Sequence, residues 1–293
     1  HALAGNVDLW SRSLCFYDDM DALMKKIEGL PRNILSVAAR ELGLGDVTPE
    51  NYAAVRDSLL DRCGPALEWL SALPLAIDTP DMLFVHAGVE DLPRWQDSRQ
   101  DLVLRQPAFF KARHRVGKWV AAGHLPARNN DEAGHGDGPA ISRERRSIAL
   151  DGGAQILLGG CLNALVVEKD GPGAPLRFSS ARADGYPKRT LDFAAPGDYS
   201  GFVRVTYLHP SFDLLEGGPA FSRVRMHHSG QVGLVKNEHI IQVDGQLRTR
   251  FHLSAFAPVR PGEVVSVIED RSPWLLIRSQ AGDLGWVQCP PKG

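Results

Sequence analysis

Three short stretches each place a metal-capable side chain where an apolar run meets a turn. They are Gly5-Asn6 in "LAGNVD", His86 in "LFVHAGV" and His124 in "VAAGHLPA". A short apolar run ending on glycine or a polar residue reads as a buried strand, and functional groups concentrate on the loops that follow such strands. Asparagine oxygen with imidazole nitrogen makes a mixed N/O donor set, which suits manganese, iron or zinc better than magnesium. Singly, each residue has a plainer reading. A histidine after a strand is commonly a hydrogen-bonded structural group, and Asn beside Gly is commonly a turn. The chemistry rests on the order and context of all three.

Elements able to position such groups alternate along the chain. From Asp18 to about Leu73 the pattern is helical: in "ENYAAVRDSLLDRCGPALEWL" the positions Tyr52, Val55, Leu59, Cys63, Leu67 and Leu70 recur every three or four residues. Gly64-Pro65 interrupts that run and predicts two helices or one kinked there, with Thr48 as N-cap and Pro49 in the first turn. After Pro74, "MLFVHAG", "KWVAAGH", "RSIALDGGA" and "CLNALVVE" read as strands apolar on both faces, hence a covered sheet in a layered α/β domain. The Gly-, Pro- and charge-rich stretch around 169–200 reads as a domain edge or linker. Beyond it, short strand candidates at regular spacing predict an all-β region.

Composition narrows the classes. The chain of 293 residues is 43% hydrophobic and 23% charged, as in globular proteins, and no apolar run approaches the roughly 18 residues of a membrane-spanning helix. A net charge of -2 gives no general attraction to polymeric nucleic acid or to acidic membranes. Cys15, Cys63, Cys161 and Cys289 are scattered with no C-x-x-C pair, which argues against a zinc ribbon or disulfide framework and fits a reducing compartment, the cytoplasm.

The same stretches resemble the calcineurin-like metallophosphoesterases, in the branch of Ser/Thr protein phosphatases and symmetrical diadenosine tetraphosphatases. That branch reads GD-x-HG, GD-x-x-DRG, GNH-[DE], a helical segment, FVH-[AG]-G, a W-x-R element, GHTP and DTGA…GG-x-L-x-AL. This chain has "GNVD" at 5–8, "LFVHAGV" at 83–89, "LVLRQPAFF" at 102–110, "GHLP" at 123–126 and "IALDGGAQILLGGCLNALVVE" at 148–168. The resemblance covers about residues 1–168. It implies that Asn6, His86 and His124 ligate one ion of a binuclear site holding two divalent metals, manganese first and iron or zinc otherwise. It implies that Arg105 grips the substrate phosphate, as a forked guanidinium suits a tetrahedral oxyanion. The first two motifs of the branch do not occur in this sequence, so the resemblance also implies a metallophosphoesterase domain entered part-way through, with "HALAGN" as the strand leading to the asparagine.

Val7 stands where the family has the histidine that protonates the leaving oxygen. Valine cannot supply general acid catalysis, so His1 or His114 would have to substitute, or the leaving group would need little help, or the domain would bind phosphate without turnover. The basic stretch "KARHRVGK" at 111–118 reads first as a solvated face, "GHGDG" at 134–138 as a flexible loop near the site, and His227-His228 as a pair that cannot chelate together.

Residues 259–291 resemble a bacterial SH3-like barrel through a Pro-Gly turn, "VVSVIE", "WLLIRS" and a closing "GWV", with Trp274 and Trp286 as candidate peptide platforms or core residues. The sequence thus predicts a layered, partial metallophosphoesterase sandwich over 1–190, lacking its N-terminal metal motifs. An all-β region over 200–293 follows, with the barrel at about 250–290. The expected activity is metal-dependent hydrolysis of phosphate monoesters (phosphoprotein Ser/Thr) or nucleotide polyphosphates. The alternative is a non-catalytic pseudophosphatase that recruits a peptide partner through the barrel.

Overall fold

The computed structural model describes residues 1–30, 33–107, 109–154 and 156–291. Among these the chain is mixed α/β with more strand than helix, and it packs as two units, His1–His124 and Leu125–Gly293.

Every α-helix among the described residues lies in the first unit: α1 (Asp8–Ser13), α2 (Met20–Glu28), α3 (Ile34–Glu41), α4 (Tyr52–Ser71) and α5 (Gln100–Arg105). Asp19 and Asn33 cap α2 and α3, accepting from the Ala22 and Ser36 N–H groups at 2.9 Å in each case. The break expected at Gly64-Pro65 does not occur, because α4 runs unbroken through Pro65. Its buried stripe explains why: Tyr52, Val55 and Leu59 before the proline and Leu67 after it belong to one apolar cluster with Leu23, Leu35 and Leu14. That burial offsets the roughly 3 kcal/mol cost of an interior proline. The helix also starts later than expected. Thr48 and Asn51 instead close a turn ahead of it, each side chain accepting from the other's backbone N–H.

Strands β1 (Ala76–Asp78) and β2 (Met82–Val85) pair antiparallel, and β2 pairs in parallel with β3 (Trp119–Ala122), Val85 lying opposite Ala122. Leu83, Val85, Val120 and Ala122 share a core with Val89, Val103 and Phe109. The expected strand over "HALAGN" does not form. There, Ala4 N–H donates to Pro74 O at 2.9 Å without a ladder on either side.

The second unit is built of strands: β4 (Ala140–Ser142), β5 (Ser147–Ala149), β6 (Leu162–Glu168), β7 (Arg177–Ala183), β8 (Lys188–Leu191), β9 (Phe212–Glu216), β10 (Phe221–Met226), β11 (Val232–Lys236), β12 (Ile240–Val243), β13 (Gln246–Thr249), β14 (Glu263–Arg271), β15 (Trp274–Arg278) and β16 (Leu284–Gln288). β6 is not a strand covered on both faces. Among the described residues it pairs with β7 alone, and its residues alternate between exposed and half-buried, Leu162 being 68% exposed. The 169–200 stretch is not a linker either. It contributes β7 and β8, and Ala195 and Asp198 bridge to Val259 and Phe256.

Strands predicted for the SH3-like region are present as β14 to β16, but among the described residues no barrel closes. The order β16-β15-β14-β8 is an open sheet, whose fourth strand comes from the stretch read as a linker. Trp286 is 2% exposed and packs 5.2 Å from the His239 ring, so it is core rather than a peptide platform. Trp274, half-buried, sets its ring edge-on to Phe221 at 4.8 Å.

Charges hold this unit from inside. Arg128 and Arg278 both bind the Asp137 carboxylate, and Arg278 also binds Asp184, each of the four side chains being 3% exposed or less. Burial alone would raise the Asp184 carboxyl, but hydrogen bonds from Lys188 and Ser266 and the charge and contact of Arg278 hold it below the usual range. "GHGDG" is part of this frame: Asp137 anchors it, Gly136 bridges to Asp283, and His135 stacks on Tyr199 at 3.7 Å.

His252 is 4% exposed, and its Nδ1 accepts from Val205 N–H at 3.0 Å. Burial, then the nearby charges of Arg128, Arg204 and His135, hold its imidazole well below the usual histidine range. The native state thus keeps the ring neutral while the unfolded chain protonates it near pH 6.5, so its contribution is whole above about pH 6.5 and declines below by up to about 1.4 kcal/mol per pH unit. Denaturant midpoints measured from about pH 8 to 5.5 are expected to fall for the wild type. The fall should be shallower in His252→Asn, whose amide oxygen can still accept from Val205. Identical slopes would contradict this assignment.

Candidate metal centre

Parallel pairing of β2 and β3 brings two of the three sequence candidates side by side. The strands end together at Val85 and Ala122, and Gly123 N–H then donates to His86 O at 2.8 Å. His86 and His124 therefore leave the carboxyl ends of adjacent parallel strands, where α/β sheets commonly bind ligands. Their ring centroids are 5.0 Å apart, with planes inclined by 60°. His124 holds φ at +64°, a left-handed conformation that costs a non-glycine residue about 1 kcal/mol or more.

Asn6 arrives from the other end of the unit. Its Oδ1 lies 2.8 Å from His86 Nε2, across 80 residues of sequence. Two readings fit that distance. Nε2–H can donate to Oδ1, or both atoms can face one cation, since adjacent ligands with bonds of about 2.1 Å at right angles sit about 3 Å apart. Among the described residues no three side chains drawn from His, Cys, Asp and Glu gather as a cation cage, so asparagine must complete any set here. The three candidates are all half-buried. A water-accessible set of one amide oxygen and two imidazoles fits manganese, iron or zinc.

Gly5 and Asp8 fix the turn that carries Asn6. Gly5 N–H donates to Asp8 Oδ2 at 2.7 Å, folding the start of α1 back on the loop. A Cβ at Gly5 would lie 3.1 Å from Asp8 Oδ2 and 3.3 Å from His86 Nδ1, so this approach of loop to ring needs glycine or a shift of a neighbour. Asp8 had no assigned role in the sequence reading. The signal available for it was a carboxylate at the first turn of a helix, three residues after a glycine.

Behind His86, the loop is locked to α5. Ala87 N–H donates to Val103 O at 2.9 Å, and at Gly88 (φ +149°) a Cβ would overlap the Phe109 ring. Arg105 ends α5, exposed, with its guanidinium 5.4 Å from the Trp10 ring of α1, the helix that begins just after Asn6. Val7 is 58% exposed at the N-terminus of α1.

The remaining candidates have other partners. His114 stacks on Phe109 at 5.9 Å, while Arg115 and Lys118 of the same basic stretch pair with Asp91 and Asp78. His227 Nε2 meets Asp213 Oδ1 at 2.9 Å and His228 stacks on His209 at 3.6 Å, so the adjacent histidines serve separate contacts. His1 is exposed.

His124 offers a test of what its backbone conformation is for. His124→Gly is expected to leave the protein as stable as the wild type or up to about 1 kcal/mol more stable, by removing the left-handed cost. It should also abolish any stabilisation by manganese, read as the shift in unfolding midpoint with and without the ion. Destabilisation by more than about 2 kcal/mol would show that the ring serves packing instead.

Comparison with protein families, with curated proteins and with solved structures finds nothing that matches this chain.

Proposed function

We propose that this chain is a metal-dependent phosphoesterase acting on phosphate monoesters or nucleotide polyphosphates, with the layered metallophosphoesterase sandwich as its fold. The observation that carries the reading is the meeting of Asn6, from the loop ahead of α1, with His86, and of His86 with His124, from the ends of two strands far apart in sequence. Asn6, His86 and His124 would hold a divalent ion, manganese first. A metal there supplies a Lewis acid for phosphoryl oxygens and a water of lowered pKa.

The chain's own groups supply the remainder. Arg105 offers a forked donor to phosphate oxygens, and Trp10, packed against its guanidinium, restrains where that fork points. Asp8 and Gly5 hold the Asn6 turn against the His86 ring. Val7, exposed and apolar, has no proton to give a leaving oxygen. Substrates with acidic leaving groups are therefore favoured over alkyl esters such as phosphoserine.

Val7 also favours a second reading, in which the domain binds phosphate without turning it over. The peptide-recruiting version of that alternative finds no support in Trp286, which is buried.

Manganese titrated into the 293-residue chain by calorimetry is expected to bind, with affinity lowered at least about tenfold in each of Asn6→Ala, His86→Ala and His124→Ala. Equal affinity in all four proteins would contradict the site. Val7→His is expected to raise manganese-dependent turnover of phosphoserine by about 10²-fold or more while changing nitrophenyl phosphate only a few-fold. An equal change for both substrates would place Val7 outside the acid position. Manganese binding with no hydrolysis of either substrate, before or after the substitution, would establish the second reading.

A further inference from the structure

The second unit contains a cleft of about 730 Å³, within the range of small-molecule sites, that the sequence reading did not anticipate. Three of its lining residues bury polar atoms that meet no hydrogen-bond partner among the described residues: Thr206 Oγ1, His239 Nδ1 and Arg248 Nε. A buried polar group left unpaired costs about 1–3 kcal/mol, so three around one cleft call for a ligand that satisfies them.

Charge defines the ligand. Arg248, Arg250 and Arg271 line the cleft against the carboxylates of Glu238 and Glu269. Both carboxylates are engaged: Glu238 accepts from Lys236 at 2.5 Å, and Glu269 Oε2 accepts from His239 Nε2–H at 2.9 Å. The guanidiniums are only weakly neutralised. Arg248 lies 3.7 Å from Asp244, Arg271 lies 3.5 Å from Glu269, and Arg250 is exposed with no ion pair among the described residues. His239 is 4% exposed, and Glu269 fixes its ring.

We infer that this cleft binds a phosphate-bearing anion, its oxygens taking donors from Arg248, Arg250 and the Thr206 hydroxyl, with His239 at the buried end. Forked guanidiniums match tetrahedral oxyanions in two-point contacts that an ammonium cannot make. The site belongs to the second unit alone and does not depend on the metal reading.

The test uses the full chain with EDTA present and tripolyphosphate as the probe, followed by calorimetry, with inorganic phosphate as competitor. One-to-one binding is expected, weakened about tenfold by Arg248→Gln and by Arg250→Gln, and not restored by Arg248→Lys. Thr206→Val should weaken it a few-fold. Arg177→Gln, on the β6–β7 hairpin, should bind as the wild type does. Because Arg250 is exposed, its substitution leaves the fold intact and keeps the test decisive. The inference is overturned if the probe does not bind at millimolar concentration, or if Arg248→Gln and Arg250→Gln bind like the wild type. A loss as large in Arg177→Gln, marking diffuse attraction, or in Arg105→Gln, marking the first unit's site, would overturn it as well.

Discussion

The parallel pairing of β2 with β3 is the constraint on which the candidate site depends. Parallel strands must be reached through a crossover, here the chain between Val85 and Trp119, and they survive because their side chains are covered. Leu83, Val85, Val120 and Ala122 are each 4% exposed or less, and at about 25 cal/mol per Å² this burial opposes any slip in register. A slip of one residue would exchange the side chains between the two covered faces, misfit the packing on each, and carry His86 and His124 to opposite faces. The pairing that gives this unit its core therefore also places two imidazoles together.

In the second unit, alternating charges have the corresponding role. Asp137 lies between Arg128 and Arg278, and Arg278 continues to Asp184. An ion buried alone costs several kcal/mol, about 3–5 when one partner of a pair is lost, so the four groups are stable only as a set. Their positions span the unit from Arg128 to Arg278, tying the loop at Asp137 and the end of β7 to β15. Satisfied polar groups of this kind hold irregular, Gly- and Pro-rich segments that have little apolar surface to bury. In the stretch around 169–200, Asp184 provides such an anchor and Leu191, with Phe193 and Ala195, packs on Val259, Val265 and Ile277, so it is structured although its composition is that of a linker.

What was legible in the sequence follows the same physics. The runs at 82–85 and 119–122 are apolar throughout because both faces are buried, and they read correctly as strands ending on histidine. The meeting of Asn6 with His86 has no local signature, since no periodicity reports a contact across 80 residues; only the resemblance pointed there. Proline at 65 misled because local propensity was outweighed by Leu67, which shares a core with Tyr52 and Val55. Of the two readings left open for Trp286, platform or core, burial selects the second, and its neighbouring strand held a signal for that. "WLLIR" is almost wholly buried, and an arginine in such a run announces a buried partner, which Asp137 and Asp184 supply to Arg278. The cleft at His239 left no trace, because His239 and Glu269 stand 30 residues apart in unrelated stretches.

Asn6, His86 and His124 could meet as one cation site, as proposed, or as a hydrogen-bonded cluster. Both arrangements keep the three residues close, so proximity does not separate them; the position of a bound ion does. Crystals grown with manganese and measured near the manganese absorption edge provide it. A cation site gives an anomalous peak about 2.0–2.3 Å from Asn6 Oδ1 and from one ring nitrogen of each histidine. An intact Asn6–His86 hydrogen bond with no peak beside it, at saturating manganese, would rule the site out.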